Sequence, residues 1–324
     1  MVNRIMNNDK VLEKSITIDA VIPVYKPGEE FDKLLERLQK QKRKLEHIFL
    51  MHTEDGTDLS WAEEKYENVK VLSVKKEEFD HGATRDKGIR NSNADVVLCM
   101  TQDAIPVNSY LTMNLVQALL MDDEVVVAYG RQVPKNDCEI LERYTRKFNY
   151  PEESRIKSAE DLKELGIKTY FCSNVCAAYR REKYEEMGGF EKNTIFNEDM
   201  IFAAKVIENG FKIAYEANAL VIHSHNYSNI QQLKRNFDLA VSQTQHPEIF
   251  ERVKSESEGI RMVMETAKYL IKKGHLFLII SLVLKSGCKY LGYQLGKHYR
   301  ILPESFIIRV TMNPGYWRKS KNQR

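Results

Sequence analysis

The sequence predicts an α/β protein whose mostly parallel sheet is flanked by helices and followed by a basic, helical C-terminal extension. Short, nearly continuous apolar runs such as residues 16–24 are typical of strands buried in a parallel sheet. The next segment carries four apolar residues at the spacing of one helix face: Phe31, Leu34, Leu35 and Leu38. Because strands and helices alternate in this way, right-handed crossovers between parallel strands are expected.

The first half of the chain follows this alternation. Four strands are predicted because each run is apolar and bounded by polar turns: residues 16–24, 47–51, 69–74 and 95–100. A carboxylate-rich loop at residues 52–58 follows the second strand, and the polar segment 78–88 becomes a short helix after the third. Further elements are a helix at residues 107–121 and a strand at 125–129 that ends at Gly130.

The second half begins with a charged insertion, residues 135–168, which we expect to be helical and to cover the binding edge of the sheet. A strand at residues 171–179 and a helix from Arg181 follow, and the glycine pair at 188–189 is a typical helix end. The remaining predicted elements are an amphipathic helix from residue 198 to Gly210, strands at 212–215 and 219–223, and a helix at 229–250.

Positive charge is concentrated at the C-terminal end of the chain. The formal net charge is only +3, but residues 261–324 carry 13 Lys and Arg against two acids. Five scattered cysteines without a CxxC pair or zinc spacing favour a reducing, cytoplasmic setting. The polar residues 1–15 lack the apolar core of a secretory signal and predict a loosely ordered leader. The longest apolar run, residues 276–284, is too short to span a bilayer.

Asp103 lies just beyond the strand predicted at residues 95–100. Ligands of open α/β sheets bind at the carboxyl ends of strands, and a carboxylate there can hold a divalent cation that bridges a substrate's phosphates. A turn or helix-capping Asp would give the same local pattern, because Pro106 and Asn108 follow. The motif by itself therefore leaves both interpretations open.

The order of the motifs along the chain is more specific than any one of them. The series is VIPVYKPGEE, EDGTD, GATRDKG, TQDA, a GGF turn, NED and HSH. It resembles the nucleotide-diphosphosugar transferases of glycosyltransferase family 2 over residues 16–230, which implies the GT-A fold, Rossmann-like in its sheet. The combination of FDHGATRDKG with TQDAIP is similar to the bacterial rhamnosyltransferase branch, which uses dTDP-L-rhamnose.

The resemblance implies a set of donor-binding residues: Pro23, Tyr25, Glu54, Asp55, Asp80, His81, Arg85, Gln102 and Asp103. Arg85 would contact the base or a phosphate, because its fork of donors suits either group. Glu54 or Asp55 would accept the N3 proton of a pyrimidine, an edge that uracil and thymine share. Asp80 and His81 would touch the sugar or the diphosphate. A solvated helix arginine is the alternative for Arg85.

The resemblance also implies a metal site for Mg²⁺ or Mn²⁺. Where the family often has Asp-x-Asp, this chain has Thr101-Gln102-Asp103, so only Asp103 matches the usual ligand. His223 or His225 matches the late histidine of the family, which reaches the metal or the diphosphate. An ordinary surface histidine is the alternative for both.

Asp199 matches the catalytic base of the family, and Glu198 is expected to support it. A single displacement at the anomeric carbon needs a carboxylate opposite the leaving diphosphate, where it takes the proton of the acceptor hydroxyl. Inversion is therefore expected, so that dTDP-β-L-rhamnose would give an α-L-rhamnoside. Two acids in a first helical turn also suit the helix dipole, which is the structural alternative.

The basic tail predicts peripheral binding to an anionic membrane surface. Between residues 259 and 302, apolar runs alternate with lysines and tyrosines, as in helices that lie in the membrane interface. A helical hairpin packed on the catalytic domain or on a second subunit of a homodimer is the alternative, and we do not expect nucleic-acid binding. An undecaprenyl-linked acceptor would explain attachment to the membrane.

Together these features predict a cytoplasmic, peripherally membrane-associated, inverting rhamnosyltransferase of cell-surface polysaccharide synthesis. The predicted units are a leader at 1–15, a catalytic domain at 16–230 and a helical extension at 231–324. Within the catalytic domain, a donor half spans 16–106 and an acceptor half 107–230. The alternatives are a UDP-hexose donor on the same fold and a non-catalytic scaffold. A nicotinamide-dependent oxidoreductase is disfavoured, because no GxGxxG follows the first strand.

Overall fold

A central sheet organises the fold in the computed structural model, which describes residues 16–253 and 256–322. The strands of these residues are β1 (Ile18–Val24), β2 (Ile48–Thr53), β3 (Val69–Val74), β4 (Val96–Met100), β5 (Ile105–Pro106), β6 (Val125–Val133), β7 (Arg155–Lys157), β8 (Cys176–Arg180) and β9 (Lys212–Ile222). Their order is β3-β2-β1-β4-β8-β6-β9-β5, and β7 also pairs with β9. The predicted leader, residues 1–15, lies outside the described residues.

Helices connect these strands and form the C-terminal part. The α-helices of the described residues are α1 (Glu30–Gln39), α2 (Ser60–Lys65), α3 (His81–Arg90), α4 (Leu111–Leu120), α5 (Ile140–Asn149), α6 (Leu162–Leu165), α7 (Arg181–Glu186), α8 (Glu198–Glu208), α9 (Asn229–Gln245), α10 (Pro247–Phe250), α11 (Glu256–Lys272), α12 (Leu278–Lys297), α13 (Glu304–Val310) and α14 (Pro314–Asn322). Short 3-10 helices occur at Ala159–Asp161, Gly166–Tyr170 and Tyr299–Ile301.

The predicted α/β class, with a sheet flanked by helices and a helical C-terminal region, is confirmed. Strands β1 to β4 pair in parallel, as does β6 with β9. Strand β8 runs antiparallel between β4 and β6, and β5 and β7 run antiparallel to β9. The carboxyl ends of β1, β2 and β4 therefore meet at one edge of the sheet, where ligands of such sheets bind.

Both faces of the sheet are buried. Alternate residues of β1 belong to two different cores, because Ala20 and Ile22 pack on one face and Val21 on the other. Helices α1 and α4 cover the first face, and α3, α7 and α8 cover the second. This burial on two sides explains why the strands are nearly continuous apolar runs in the sequence.

The second glycine of the GATRDKG motif has a packing role. A Cβ atom at Gly88 would lie 2.4 Å from a side-chain carbon of Val21, so α3 approaches β1 more closely than any larger residue allows. The motif therefore holds α3 against the sheet, close to the carboxyl end of β1.

Two predicted boundaries around β6 and β9 are wrong. Strand β6 continues through Gly130 to Val133, and the strands predicted at 212–215 and 219–223 are one strand, β9. The register between them shifts at Gly130, where three residues of β9 bulge. A Cβ atom at Gly130 would lie 2.5 Å from the Ala219 carbonyl oxygen. The glycine thus permits a close strand contact here instead of ending the strand.

Two further predictions differ from the structure. The strand predicted at residues 171–179 begins only at Cys176, because the backbone turns at Ser173 and the Asn174 N–H donates to a side chain instead of to a strand. The insertion at residues 135–168 is not helical throughout, because β7 joins the sheet at β9. The buried Lys157 ammonium on β7 donates to the carbonyls of Lys168 and Phe171, which ties the insertion to the next loop.

The C-terminal helices pack on α9 and leave a large apolar surface exposed. Gly292 and Gly296 of α12 face α9 so closely that a Cβ atom would lie 2.1 Å from the Leu233 oxygen and 2.3 Å from the Phe237 oxygen. The hairpin of α11 and α12 therefore has a fixed position on α9. No helix in the described ranges has the length and apolar character needed to cross a membrane.

Candidate active site

Asp103, His223 and His225 form one cluster at the edge of the sheet. Strand β5 pairs antiparallel with β9, with Ile105 opposite Ile222, which brings the loop after β4 to the residues after β9. The Asp103 Oδ2 atom lies 3.5 Å from His223 Nε2 and 3.3 Å from His225 Nε2. One ligand atom from each residue lies within 4.8 Å of the other two. This spacing fits a single cation bound by all three side chains.

Gln132 of β6 fixes the orientation of His223. Its Oε1 atom lies 2.9 Å from His223 Nδ1 and also accepts a hydrogen bond from Arg146. Because this amide oxygen can only accept, the proton of the neutral imidazole lies on Nδ1 and the Nε2 lone pair faces Asp103. An outer partner that sets the tautomer in this way is typical of metal-bound histidines.

The protonation states of the cluster also suit a cation. Burial would raise the pKa of Asp103, but the neighbouring His223, Thr101 and His225 side chains lower it below its usual range. Burial lowers the pKa of His223, against the effect of Asp103. Burial and His223 lower the pKa of His225 to about 4. At neutral pH the cluster is therefore one carboxylate and two neutral imidazoles, and the two Nε2 atoms lie 3.0 Å apart.

Glu198 and Asp199 open α8, directly after a residue with unusual backbone geometry. Asn197 has φ +65°, in the left-handed region that asparagine tolerates better than most residues. The Asp199 carboxylate accepts hydrogen bonds from the backbone N–H groups of Asn174 at 3.0 Å and Met200 at 2.8 Å. Asp199 remains partly exposed, whereas Glu198 is buried. Only Asp199 of the pair can therefore meet a substrate directly.

Arg85 pairs with Glu198 below the surface of the site. Its Nη1 atom lies 3.0 Å from Glu198 Oε1, and Arg85 is only 4% exposed. We expected Arg85 to contact the donor's base or phosphate; instead its guanidinium is buried, pairs with a carboxylate and donates to the His81 carbonyl. Its position supports a role in holding Glu198 and α3 together.

The two acids of α8 have opposite pKa shifts. Burial and the charge of Glu198 raise the pKa of Asp199 to about 7. Burial also disfavours the charge of Glu198, but Arg85 and His81 outweigh it and lower the pKa of Glu198. Neighbouring acids with pKa values pushed apart are typical of a base and its supporting group.

The predicted donor residues after β1, β2 and β4 are brought together by hydrogen bonds between their loops. The Gln102 side chain pairs with the backbone of Tyr25, accepting from its N–H at 2.8 Å and donating to its carbonyl at 2.9 Å. The Asp55 carboxylate accepts from the N–H groups of Lys26 and Thr57. The side chains of Gln102 and Asp55 therefore hold the loops in place, and other side chains are available to contact the donor.

Among the predicted donor-binding residues on these loops, Tyr25 and Glu54 are the exposed ones. The Tyr25 ring is 37% exposed and has the ammonium groups of Lys26 and Lys76 near its centre, at 5.5 and 5.8 Å. Glu54 is exposed and accepts a hydrogen bond from Ser73. An exposed ring with nearby cations suits a base and its phosphates, and Glu54 is the exposed acid of the predicted pair, whose carboxylate can accept a hydrogen bond from a base N–H.

Asp80 and His81 lie at the start of α3, and Pro23 near the end of β1. Asp80 caps α3, accepting from the Ala83 N–H at 2.7 Å, so this acid has the structural role of a helix cap. The His81 ring contacts Phe79 edge to face, and burial lowers its pKa. Pro23 is partly buried and aligns with Met51 of β2.

Sequence reasoning missed two polar residues that connect the cluster with Asp199. Gln132 and Asn174 are each 2% exposed. Ser173 lies 3.1 Å from the Gln132 amide, and the next residue, Asn174, donates to both Asp199 and Glu198. Hydrogen bonds thus link His223 to Gln132 and Gln132 to Ser173, and the next residue of the chain, Asn174, bonds to Asp199. The only sequence signal was that each is an amide beside an apolar run, which does not reveal its partner.

Solved structures with the same fold include a mannosyltransferase. TarS from S. aureus, residues 1–349, superposes with a TM-score of 0.53 at 14% identity, covering 88% of this chain and 91% of that chain. The mannosyltransferase PcManGT from Pyrobaculum calidifontis, solved with GDP-Man and Mn²⁺, has a TM-score of 0.52 at 13% identity, covering 95% and 86%. At such low identity these comparisons establish the fold alone.

Sequence comparison establishes the family. The O-antigen chain rhamnosyltransferase RfbN of Salmonella typhimurium is 35% identical over 302 residues, which are 93% of this chain and 96% of the relative. WbaN of Salmonella anatum, also an O-antigen chain rhamnosyltransferase, is 37% identical over 300 residues, covering 92% and 94%. The model of glycosyl transferase family 2 matches residues 19–188. The chain therefore belongs to glycosyl transferase family 2 and is a glycosyltransferase.

Proposed function

We propose that this protein transfers L-rhamnose from dTDP-β-L-rhamnose to a saccharide acceptor, with inversion, in the synthesis of a cell-surface polysaccharide. The similarity to two O-antigen chain rhamnosyltransferases over more than nine-tenths of the chain carries the proposal. The site adds support, because one partly exposed acid with a raised pKa is linked through Asn174, Ser173 and Gln132 to a cluster suited to a cation.

Asp199 acts as the base in this proposal. Its carboxylate takes the proton of the acceptor hydroxyl as that oxygen bonds to the anomeric carbon from the side opposite the diphosphate. The bond between the anomeric carbon and the diphosphate oxygen breaks at the same time, and its electron pair leaves with dTDP. Glu198 stays ionised beside Arg85, and its negative charge makes Asp199 a stronger base.

Asp103, His223 and His225 hold a divalent cation in this proposal. The donor set of one carboxylate and two imidazoles, with Gln132 fixing the tautomer of His223, fits such an ion. Two imidazole nitrogens favour Mn²⁺ over Mg²⁺, which prefers oxygen ligands. When bound, the ion would neutralise the charge that develops on the leaving diphosphate.

The C-terminal hairpin attaches the enzyme to the cytoplasmic face of a membrane in this proposal, which suits a polyprenyl-diphosphate-linked acceptor. Large apolar side chains are exposed at its tip and along the outer side of α12: Leu276, Phe277, Ile280, Val283 and Leu284. We call these five residues the apolar tip. Lysines at 272 and 273 lie beside it. Apolar groups flanked by lysines suit an anionic lipid surface.

Calorimetric titration of dTDP, UDP and GDP, each with and without Mn²⁺, tests the donor assignment. We expect dTDP to bind most tightly and to need the metal, with Asp103→Asn abolishing the metal dependence. Tighter binding of UDP would replace the donor by a UDP-hexose, since uracil and thymine share the edge that Glu54 would read. Absence of nucleotide binding would overturn the proposal.

A further inference from the structure

A basic cleft between α5 and α11 opens beside the candidate active site. Its volume is about 330 Å³, within the range of small-molecule sites. Six residues define it here: Arg131, Arg143, Lys147, Lys273, Tyr144 and Tyr269. Among the described residues that line the cleft, four are cations and none is acidic. In a chain with nearly balanced charge, this concentration of positive charge favours an anionic ligand.

Most of these cations are free to bind a ligand. In the described part of the chain, the ammonium groups of Lys147 and Lys273 have neither a hydrogen bond nor an ion pair. The Arg143 guanidinium donates only to backbone carbonyls, among them those of Lys135 and Asn136 at 3.3 Å. Arg131 pairs with Glu152, which is itself 70% exposed. The exposed Glu152 carboxylate also feels the charge of Lys147, so it partly compensates Arg131 and Lys147 and leaves a net positive charge in the cleft.

The inner end of the cleft adjoins the active site. Gln132 and Tyr150 line it there, and the Gln132 amide donates to the Tyr150 hydroxyl at 2.5 Å. The same Gln132 side chain contacts His223 of the metal-binding cluster. A ligand in the cleft is thus separated from that cluster by a single side chain.

One residue that lines the cleft, Lys273, lies just before the apolar tip in the sequence. Lys273 follows the last residue of α11, and Leu276 and Phe277 come three and four residues later, 57% and 78% exposed. The rings of Tyr144 and Tyr269, with centres 4.6 Å apart and planes tilted by 33°, join α5 to α11. The cleft therefore has Gln132 of the active site in its lining at one place and, at another, Lys273, which precedes the apolar tip by three residues.

We propose that the basic cleft binds the diphosphate of a lipid-linked acceptor, with Lys147, Arg143 and Lys273 contacting phosphate oxygens and the apolar tip contacting the lipid chain. This assignment rests on the proposed function, because it names the part of the chain that would hold the acceptor. Charge-assisted hydrogen bonds from several cations suit a diphosphate, and exposed apolar side chains suit the chain that continues from it. The acceptor sugar would then extend past Gln132 toward Asp199.

Calorimetric titration of the full-length protein in EDTA tests this assignment without glycosyl transfer. The probes are geranyl diphosphate, inorganic diphosphate and geraniol. We expect geranyl diphosphate to bind more tightly than the other two. Lys147→Gln and Lys273→Gln should each weaken that binding at least fivefold.

Lys272→Gln is the matched control, because it removes the same charge from the neighbouring position of α11, outside the cleft. It should change binding of geranyl diphosphate less than twofold. Equal losses in the Lys272 and Lys273 variants would overturn the proposal, since the effect would be one of general charge. If geraniol bound as tightly as geranyl diphosphate, the cleft would not recognise phosphate. If inorganic diphosphate bound as tightly as geranyl diphosphate, the apolar tip would not contact the lipid chain. Either result would overturn the proposal.

Titration of dTDP with Mn²⁺ into the same variants separates this proposal from the donor assignment. Unchanged dTDP affinity in Lys147→Gln and Lys273→Gln, together with weaker binding of geranyl diphosphate, is the expected result. Loss of dTDP binding in these variants would place the lysines in the donor site and overturn the assignment of the cleft to the acceptor. If the donor assignment were wrong, the wild-type protein would bind UDP or GDP more tightly than dTDP. That result does not depend on the lysine variants, so the two proposals can fail separately.

Discussion

The Arg85 guanidinium and the Glu198 carboxylate form a buried ion pair, Nη1 to Oε1 3.0 Å, between residues 113 positions apart in the sequence. The pair joins α3, which follows β3, to the first turn of α8. It keeps Glu198 ionised in a buried position and so places a negative charge beside Asp199. The position and basicity of Asp199 therefore depend on an arginine that does not reach the surface of the site.

Breaking this pair should destabilise the protein. Arg85→Met leaves the Glu198 charge buried without its partner, which costs about 3–5 kcal/mol in comparable cases. Arg252→Met is a control, because Arg252 is 63% and its partner Glu208 is 35% exposed, so this change should cost less than about 1 kcal/mol. Urea unfolding measures both. Similar losses in the two variants would contradict a structural role for the buried pair.

The pH profile of the enzyme should report the charge of Glu198. Asp199 must be deprotonated to act as a base, so activity should rise with pH through its pKa of about 7. Glu198→Gln removes a negative charge that raises this pKa, so the rise should move to lower pH. The ratio of activity at pH 6 to activity at pH 8 should increase. A profile unchanged in position would show that Glu198 does not set the basicity of Asp199.

Asp199→Asn should abolish transfer while leaving donor binding nearly intact. The amide cannot take the proton of the acceptor hydroxyl, and loss of a general base typically costs about 10²–10⁴ in rate. The affinity for dTDP with Mn²⁺ should stay within about twofold, which a calorimetric titration measures alongside turnover. Retained turnover would refute the assignment of the base.

Gln132→Ala should weaken metal binding without removing a ligand. Loss of an outer partner of a metal-bound histidine typically costs about 10- to 100-fold in affinity, because the imidazole loses its fixed tautomer and orientation. Mn²⁺ binding followed by electron paramagnetic resonance measures this directly. Gln245→Ala is a control, since this amide bonds to Tyr316 on a C-terminal helix and should leave the affinity unchanged. Equal affinities in both variants would contradict the role of Gln132.

The apolar tip should determine flotation with anionic liposomes. The double variant Phe277→Ser and Ile280→Ser removes two side chains that are 78% and 68% exposed, so less protein should float. Met121→Ser is a control, because Met121 is 71% exposed but lies at the end of α4. A tip variant that floats as well as the control would refute membrane attachment through the hairpin.

The local parts of the fold could be predicted from the sequence because they depend on neighbouring residues. The β3 boundaries and the apolar face of α1 follow from apolar spacing within single segments. Strand β9 could not be predicted as one strand, because its continuity depends on a bulge opposite Gly130, more than 80 residues earlier. Arg85 could not be placed either, because its partner is distant in the sequence.

The sequence predicted those residues of the candidate site whose own side chains can bind a metal or act as a base. Asp103, His223 and His225 were named from motif order, and the structure brings them together. Glu54 or Asp55 was expected to contact the donor base, and the sequence alone could not show that the Asp55 carboxylate accepts from the Lys26 and Thr57 N–H groups. The amides of Gln132 and Asn174 were missed because their importance comes only from their partners.

The close contact between α12 and α9 fixes how far the active site lies from the C-terminal hairpin. Gly292 and Gly296 leave no room for a side chain between the two helices, and α9 begins four residues after His225. If the hairpin lies on a lipid surface, the Asp199 carboxylate would therefore be held at a fixed distance above that surface. Acceptors whose growing end lies nearer or farther would be poor substrates, so the length of the glycan would itself be selected.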